Sequence, residues 1–255
     1  MKREYTFNVE EVTKNCILWI KNWFEKNGSG CNAVIGISGG KDSTIVAKLC
    51  VEALGADRVI GVMMPNGVQK DISDSIRVCK LLGIKNYTIN IENSVNEILK
   101  EMNESGIEIT EQTRTNLPAR IRMSTLYAVS QSNNGRVSNN CNKSEDTMGY
   151  STRYGDAAGD FSPLSELTTV EIVAIGDYLG LPYDLVHKTP IDGLNTNADG
   201  SYVTDEQSMG VSYDDIHKYV RMRNELSQET IDYISGREKK NLFKLQLMPK
   251  FNPNL

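Results

Sequence analysis

The chain has little of several things, and each shortage narrows what it can be. No stretch of its 255 residues approaches the ~18 consecutive apolar residues that a membrane span requires. The N-terminal MKREYTFNVEEV carries no apolar signal core. Basic residues are not clustered, and the formal charge is −5. An acidic chain without a Lys/Arg block is poorly suited to neutralising a phosphate backbone, so nucleic acid is not expected as a partner. The five cysteines (16, 31, 50, 79 and 141) are odd in number and form no C-x-x-C pair. That argues against a disulfide framework and a zinc site, and for reduced thiols in a cytoplasmic protein. Only two histidines occur, His187 and His217, with no cysteine at metal spacing; they read as ordinary polar residues. Repeats and long low-complexity linkers are absent too.

What is present reads as one α/β unit. Cores stop growing near roughly 250–300 residues, so 255 residues fit one large domain or two small ones. Apolar runs at 33–37, 58–64 and 87–91 read as strands. Between them, 43–54 reads as a helix with Ile45, Val46, Leu49 and Leu54 inward, and 71–82 as another with Ile72, Ile76, Cys79 and Leu82 inward. This alternation predicts right-handed crossovers and a doubly wound parallel sheet with helices on both faces. An amphipathic helix over 9–26, bearing Ile17, Leu18, Trp19, Ile20 and Trp23, either caps that sheet or contributes to a subunit contact. The polar stretch 130–142 has room for a turn and a short strand around Arg136, Val137 and Ser138.

The first strand runs into VIGISGGKDST at 34–44. This is not a Walker loop: only Ile37, Ser38 and Gly39 separate Gly36 from Gly40-Lys41, and Asp42 stands where the Mg²⁺-binding hydroxyl belongs. Nor is it G-x-G-x-x-G, because Ser43 occupies the third glycine's place. Yet the loop leaves the carboxyl end of a strand and enters a helix expected to begin at Ser43-Thr44. Ligands bind there in open α/β sheets, and glycines let backbone N–H groups approach an anion. Bare phosphate would repel Asp42, so a bridging Mg²⁺ is expected. The competing reading is a tight turn in which Asp42 or Ser43 merely caps the helix.

S-G-G-K-D-S at 38–43 resembles the loop of the N-type ATP pyrophosphatases, which split ATP between its α and β phosphates to adenylate a substrate. Later motifs select a branch. N-L-P-A-R-I-R-M at 116–123, N-K-S-E at 142–145, G-Y-S-T-R-Y-G-D at 149–156 with Asp160, and Asp205-Glu206 followed by Gly210 and Tyr213 resemble NAD synthetases in order and spacing. The resemblance spans about residues 9–250. It implies an adenine nucleotide alpha hydrolase-like, Rossmann-like single domain over 1–255, with an N-terminal helix at 9–26, a nucleotide-binding core at 31–182 and a helical part at 183–255. It implies a ligase that adenylates the nicotinate carboxylate of deamido-NAD with ATP as co-substrate, then amidates it with ammonia.

The resemblance also distributes roles. Gly36, Ile37, Ser38, Gly39, Gly40, Lys41, Asp42, Ser43 and Asn140 would bind ATP, Asn140 standing where the family usually has threonine. Asp42 and Glu145 would hold Mg²⁺ and, with Lys41, form the catalytic set. Arg120, Arg153, Asp160 and Lys244 would hold deamido-NAD. Glutamine-dependent relatives carry a glutaminase domain ahead of the synthetase, whereas here the first strand begins by residue 33, so free ammonia is expected. The family implies a homodimer. Departures from its pattern are Thr169 in place of an ATP-contacting lysine, Ile191 in place of a hydroxyl residue, Phe243 in place of histidine, and Arg153 in place of lysine. Two rival classes are weighed: a tRNA-modifying adenylating enzyme, which calls for a basic RNA surface and often paired cysteines, and a nucleotide-binding sensor or degenerate paralogue, free to lose Asp42 and Glu145. Cys141, beside the expected site, reads as a packed small residue rather than a nucleophile.

Overall fold

A computed structural model describes residues 5–196 and 202–253. Helix α1 (Val9–Asn27) opens the chain, its N-terminus capped by the Asn8 side chain, which accepts from Glu11 N at 3.2 Å. Then follow β1 (Asn32–Gly36), α2 (Lys41–Leu54), β2 (Val59–Met63), α3 (Ile72–Leu82) and β3 (Lys85–Thr88). Two helices, α4 (Glu92–Glu104) and α5 (Glu111–Ser132), lead back to β4 (Gly135–Val137). The strands form a parallel sheet in the order β3-β2-β1-β4. The chain therefore steps outward from β1 through β2 to β3, then returns to pair β4 on the other side of β1. That reversal makes the carboxyl ends of β1 and β4 the switch point, where the two connections part and leave a crevice.

Strand alternation divides the core. Ala33, Ile35, Val59 and Met63 face one layer with Ile20, Phe24, Ile45, Leu49 and Val78; Val34, Ile60, Val62 and Val137 face the other with Val95, Met123 and Leu126. Right-handed crossovers put α2 and α3 on one face and force the returning α4 and α5 onto the other. Beyond β4 come α6 (Lys143–Met148), α7 (Thr169–Tyr178), α8 (Tyr183–Val186), an antiparallel pair β5 (Ile191–Thr196) and β6 (Tyr202–Thr204), α9 (Asp205–Met209), α10 (Tyr213–Arg221) and α11 (Gln228–Asn241). A third apolar cluster, Met148, Met209, Tyr213, Ile216, Tyr219 and Ile234, packs α9–α11 against α6.

Three local expectations shift. The third strand spans 85–88 rather than 87–91, although Ile89 N and Ile91 N still donate to Met63 O and Pro65 O at 2.9 Å, so the extended path continues past the ladder. Helix α2 starts at Lys41, two residues before Ser43. In α3 the buried face is Ser75, Val78, Cys79 and Leu82, leaving Ile76 51% exposed. Leu18 and Trp19 of α1 also face outward, while Ile20 and Phe24 are buried.

A buried ion network ties α10 to α7. Glu171 closes a capping box by accepting from Thr168 N at 2.7 Å, and also accepts from Tyr5 Oη at 2.7 Å and from Arg221 at 2.8 and 2.9 Å. Burial acts to raise its pKa, but hydrogen bonds from Arg221, Tyr5 and Thr168 outweigh it and hold the carboxyl below its ordinary range. The stability it contributes is complete above the unfolded-state value of about 4.3 and is lost as pH falls through the lower folded value. Arg221→Met should cost about 3 kcal/mol near pH 7 by stranding the carboxylate. In urea titrations the gap from wild type should narrow as Glu171 protonates at acid pH.

Candidate active site

The loop after β1 is built backbone first. Ile37 continues the ladder, donating to Val62 O at 2.9 Å with its side chain in the core, so only its main chain faces the crevice. Gly39 turns the chain with φ +81°, a conformation that favours glycine. Gly40 is the N-cap of α2 and no side chain caps that end. The competing cap reading therefore fails: neither Asp42 nor Ser43 caps α2, and the uncapped N-terminus of a 14-residue helix is left as a donor surface. The loop instead closes on its own hydroxyls. Ser38 N donates to Ser43 Oγ at 3.3 Å, Gly40 N donates to Ser38 Oγ at 3.2 Å, and the two hydroxyls lie 3.1 Å apart.

The loop after β4 meets it across the crevice. Ser138 N donates to Val34 O at 3.0 Å, and Asn140 stitches the two strand ends by donating to Gly36 O at 3.1 Å while accepting from Ser138 Oγ at 2.8 Å. Asn142 caps α6 and reaches both acids. Its Nδ2 donates to Asp42 Oδ1 at 3.2 Å and its backbone N to Glu145 Oε2 at 3.1 Å, the latter half of a capping box. Asp42 and Glu145 thus arrive from different strand ends onto one asparagine.

Lys41 is the counterweight. It is 5% exposed, its Nζ lies 3.1 Å from Asp42 Oδ2, and it sits 5.3 Å from the centre of the Tyr213 ring. Burial acts to lower its pKa, yet the charges of Asp42, Glu145 and Asp205 win and raise it, so it is an ammonium at neutral pH. Tyr213 and Tyr150 both donate to Asp205, at 3.1 and 3.3 Å. Glu145 is pushed well above the ordinary carboxylate range, first by burial and then by the charge of Asp42. Two hard oxygen donors short of positive charge suit Mg²⁺, which keeps waters and phosphate oxygens as further ligands. They would not form an all-protein cage: among the described residues no three His, Cys, Asp or Glu side chains cluster to hold a metal. A cavity of about 290 Å³ opens beside Lys41, lined also by Thr169, Lys188, Thr204, Glu206 and Tyr213.

Three of the four residues expected to hold the dinucleotide are joined at the segment 149–153. Arg120 Nε donates to Arg153 O at 3.3 Å. Arg153 donates from Nη2 to Gln246 O at 3.3 Å and lies against the rings of Tyr154 and Phe243 at 5.0 and 5.6 Å, while its buried Nε has no partner among the described residues. Lys244 Nζ donates to Gly149 O and Ser151 O at 2.7 and 3.1 Å, and burial lowers its pKa. Asp160 is bonded to other partners. Its carboxylate accepts from Val137 N at 2.8 Å and Tyr127 Oη at 3.2 Å, joining β4 to α5. Cys141 is buried, and burial pushes its thiol well above the usual value, as the packing reading expects. His217 is buried against Thr168 Oγ1 at 2.7 Å, and His187 pairs with Asp177 at 3.0 Å.

Residues 12–250 match the family model described as NAD synthase. The chain belongs to the NAD synthase family. It is 39% identical over 189 residues to an NH3-dependent NAD+ synthetase of Thermococcus sibiricus, covering 74% of this chain and 70% of the relative. Among solved structures it is similar to the NMN synthetase of Francisella tularensis, with 28% identity, a TM-score of 0.84, and coverage of 97% of this chain and 100% of the other. The NH3-dependent NAD synthetase of Campylobacter jejuni gives 27% identity and a TM-score of 0.79 at the same coverages. The fold is that of the adenine nucleotide alpha hydrolases.

Motif matching alone undervalues Asn142, Tyr150 and Tyr213. The signal was present, because all three lie inside the quoted motifs, but the sequence gives no hint that one asparagine contacts both acids. Asn142→Ala should remove a helix cap and the bond to Asp42 together, lowering stability by about 1–2 kcal/mol in denaturant titrations.

Proposed function

We propose that the chain is an ammonia-dependent NAD synthetase, a ligase that forms a carbon–nitrogen bond using ATP. The observation that carries this reading is the meeting of Asp42 and Glu145 at Asn142 beside an uncapped helix N-terminus, in a chain of this family. The relative from Thermococcus sibiricus, itself named NH3-dependent, supports ammonia as the nitrogen source.

Asp42 and Glu145 would hold Mg²⁺, which supplies neutralisation of the phosphate charge when bound with ATP. The residues of the chain do the rest. Backbone N–H groups of Ser38, Gly39 and Gly40, freed from the loop's hydroxyls, bind the β and γ phosphates. The end of α2 and the Lys41 ammonium stabilise the charge of departing pyrophosphate. Arg120, Arg153 and Lys244 bind deamido-NAD and orient its nicotinate carboxylate toward the α phosphorus. A carboxylate oxygen attacks that phosphorus as the bond to pyrophosphate breaks. The resulting acyl adenylate has a good leaving group, so ammonia adds at the carbonyl carbon, loses a proton to solvent, and AMP departs. Asp160 acts through β4 and α5 to place the substrate wall.

The rival classes lack support: the acidic sequence has no Lys/Arg-rich block to favour RNA, and Asp42 and Glu145 are both present. The similarity to the Francisella NMN synthetase favours one second reading, amidation of nicotinate mononucleotide by the same chemistry. The protein is proposed to act in the cytoplasm as a homodimer. A fully active monomer in light scattering would exclude the dimer.

The decisive assay supplies deamido-NAD or nicotinate mononucleotide with ATP, Mg²⁺ and ammonium. NAD, AMP and pyrophosphate are expected in equal amounts from the dinucleotide. ADP as product would overturn the reading, and a strong preference for the mononucleotide would select the second. Asp42→Asn should lower kcat at least a hundredfold with circular dichroism unchanged.

A further inference from the structure

Sequence periodicity turns Ile76 of α3 inward, yet the helix buries Ser75 instead. The exchange looks unfavourable, because Ser75 Oγ is fully buried and has no hydrogen-bond partner among the described residues. A serine inside a helix commonly bonds the carbonyl four residues back, and a buried hydroxyl without any bond is costly. What the hydroxyl faces is the phosphate loop. A Cβ on Gly39 would lie 3.1 Å from Ser75 Oγ, 3.1 Å from Ser75 N and 3.0 Å from Asp74 Cβ, so the first turn of α3 presses directly on the loop's backbone.

The loop in this state is satisfied by itself. Ser38 N and Gly40 N are occupied by the hydroxyls of Ser43 and Ser38. To hold phosphate, those N–H groups must exchange their partners, which moves the peptides of residues 38–40. The moving peptides lie beside a hydroxyl that is waiting unbonded. Two carboxylates flank it, Asp71 and Asp74, which would oppose polyphosphate if left charged and alone. Lys188 Nζ lies 2.7 Å from each and offsets part of their charge.

We propose that Ser75 is a positioning residue for ATP: its hydroxyl donates to a loop carbonyl of residue 38 or 39 only in the nucleotide-loaded arrangement. The bond then favours the loaded loop over the resting one, and ATP gains affinity from a residue it never touches. This inference rests on the assignment of the loop to ATP under the proposed function.

The experiment is calorimetric titration of the full chain with Mg²⁺·ATP in the absence of deamido-NAD, for wild type, Ser75→Ala and Ser75→Cys. It is joined to nucleotide-free melting curves and steady-state kinetics. In both variants, Kd and KM for ATP should rise about five- to tenfold, the effect of one ordinary hydrogen bond. The KM for deamido-NAD and kcat should stay within about twofold, and Ser75→Ala should melt at or above the wild-type temperature without nucleotide, since it loses an unsatisfied group. A merely structural serine gives the opposite pattern. Unchanged ATP affinity overturns the proposal, as does a nucleotide-free variant that melts lower or fails to fold, because the hydroxyl would then be bonded already. Wild type that binds no Mg²⁺·ATP overturns the assignment of the loop itself, a result visible before any variant is compared.

Discussion

One buried ammonium governs the crevice. Lys41 stands among Asp42, Glu145 and Asp205, three carboxylates gathered where water is scarce and charges interact strongly. Without that cation, two acids from different strand ends would repel each other apart. Even with it, burial first and then the charge of Asp42 raise Glu145 well above its ordinary range. A site so constituted is poised for a further cation. The tyrosines around Asp205 serve the same balance, since their hydroxyls donate to a carboxylate without adding charge.

The sheet order is what makes such a gathering possible. Only at the reversal between β1 and β4 do two strand ends point their loops into one crevice rather than over neighbouring helices. Asn140 and Asn142 then fix the spacing, one bonding the strand ends and the other the two acids. Asp42 of the loop, Glu145 and the segment that receives Lys244 are linked through α6, a single short helix. Glu145 lies on it, and Gly149 and Ser151, whose carbonyls receive Lys244, follow it directly.

Much of this was legible in the sequence, and the misses share a cause. The alternating apolar runs at 33–37 and 58–64 located their strands because buried parallel strands are apolar on both faces. The S-G-G-K-D-S loop declared itself through glycines placed after a strand. Periodicity misjudged Ile76 and Ser75 because it assumes the apolar residue turns inward, whereas the face of α3 is set by how closely Gly39 lets the loop approach. The sequence reading begins α2 at Ser43 and leaves Lys41 and Asp42 to the loop, whereas Lys41 is the first helical residue. The burial of Lys41 follows from its pairing with the half-buried Asp42, which no single-residue scale contains. For Asp160 the motif marked the position but not its contacts. Both carboxylate oxygens are taken by Val137 N and Tyr127 Oη, a pairing across distant segments that spacing alone does not reveal.

Thr169 shows how one substitution redistributes a site. Where the family resemblance expects a lysine reaching ATP, this chain has a buried threonine whose backbone N–H donates to Ser144 Oγ at 3.1 Å and whose hydroxyl donates to Asn142 Oδ1 at 3.4 Å. The position still lines the cavity, but its hydrogen bonds go to Ser144 and to the asparagine that contacts both acids. It thereby contributes to holding Asp42 and Glu145 rather than to the charge facing phosphate. Lys41 and Lys188 line the same cavity from other walls. Lys188 is already bound to Asp71 and Asp74, so its charge is spent near the loop's back rather than at its mouth. Under the proposed assignment, attraction for polyphosphate would therefore fall more heavily on backbone N–H groups and the N-terminus of α2. These are dipoles whose effect depends on loop conformation far more steeply than a flexible lysine's charge does.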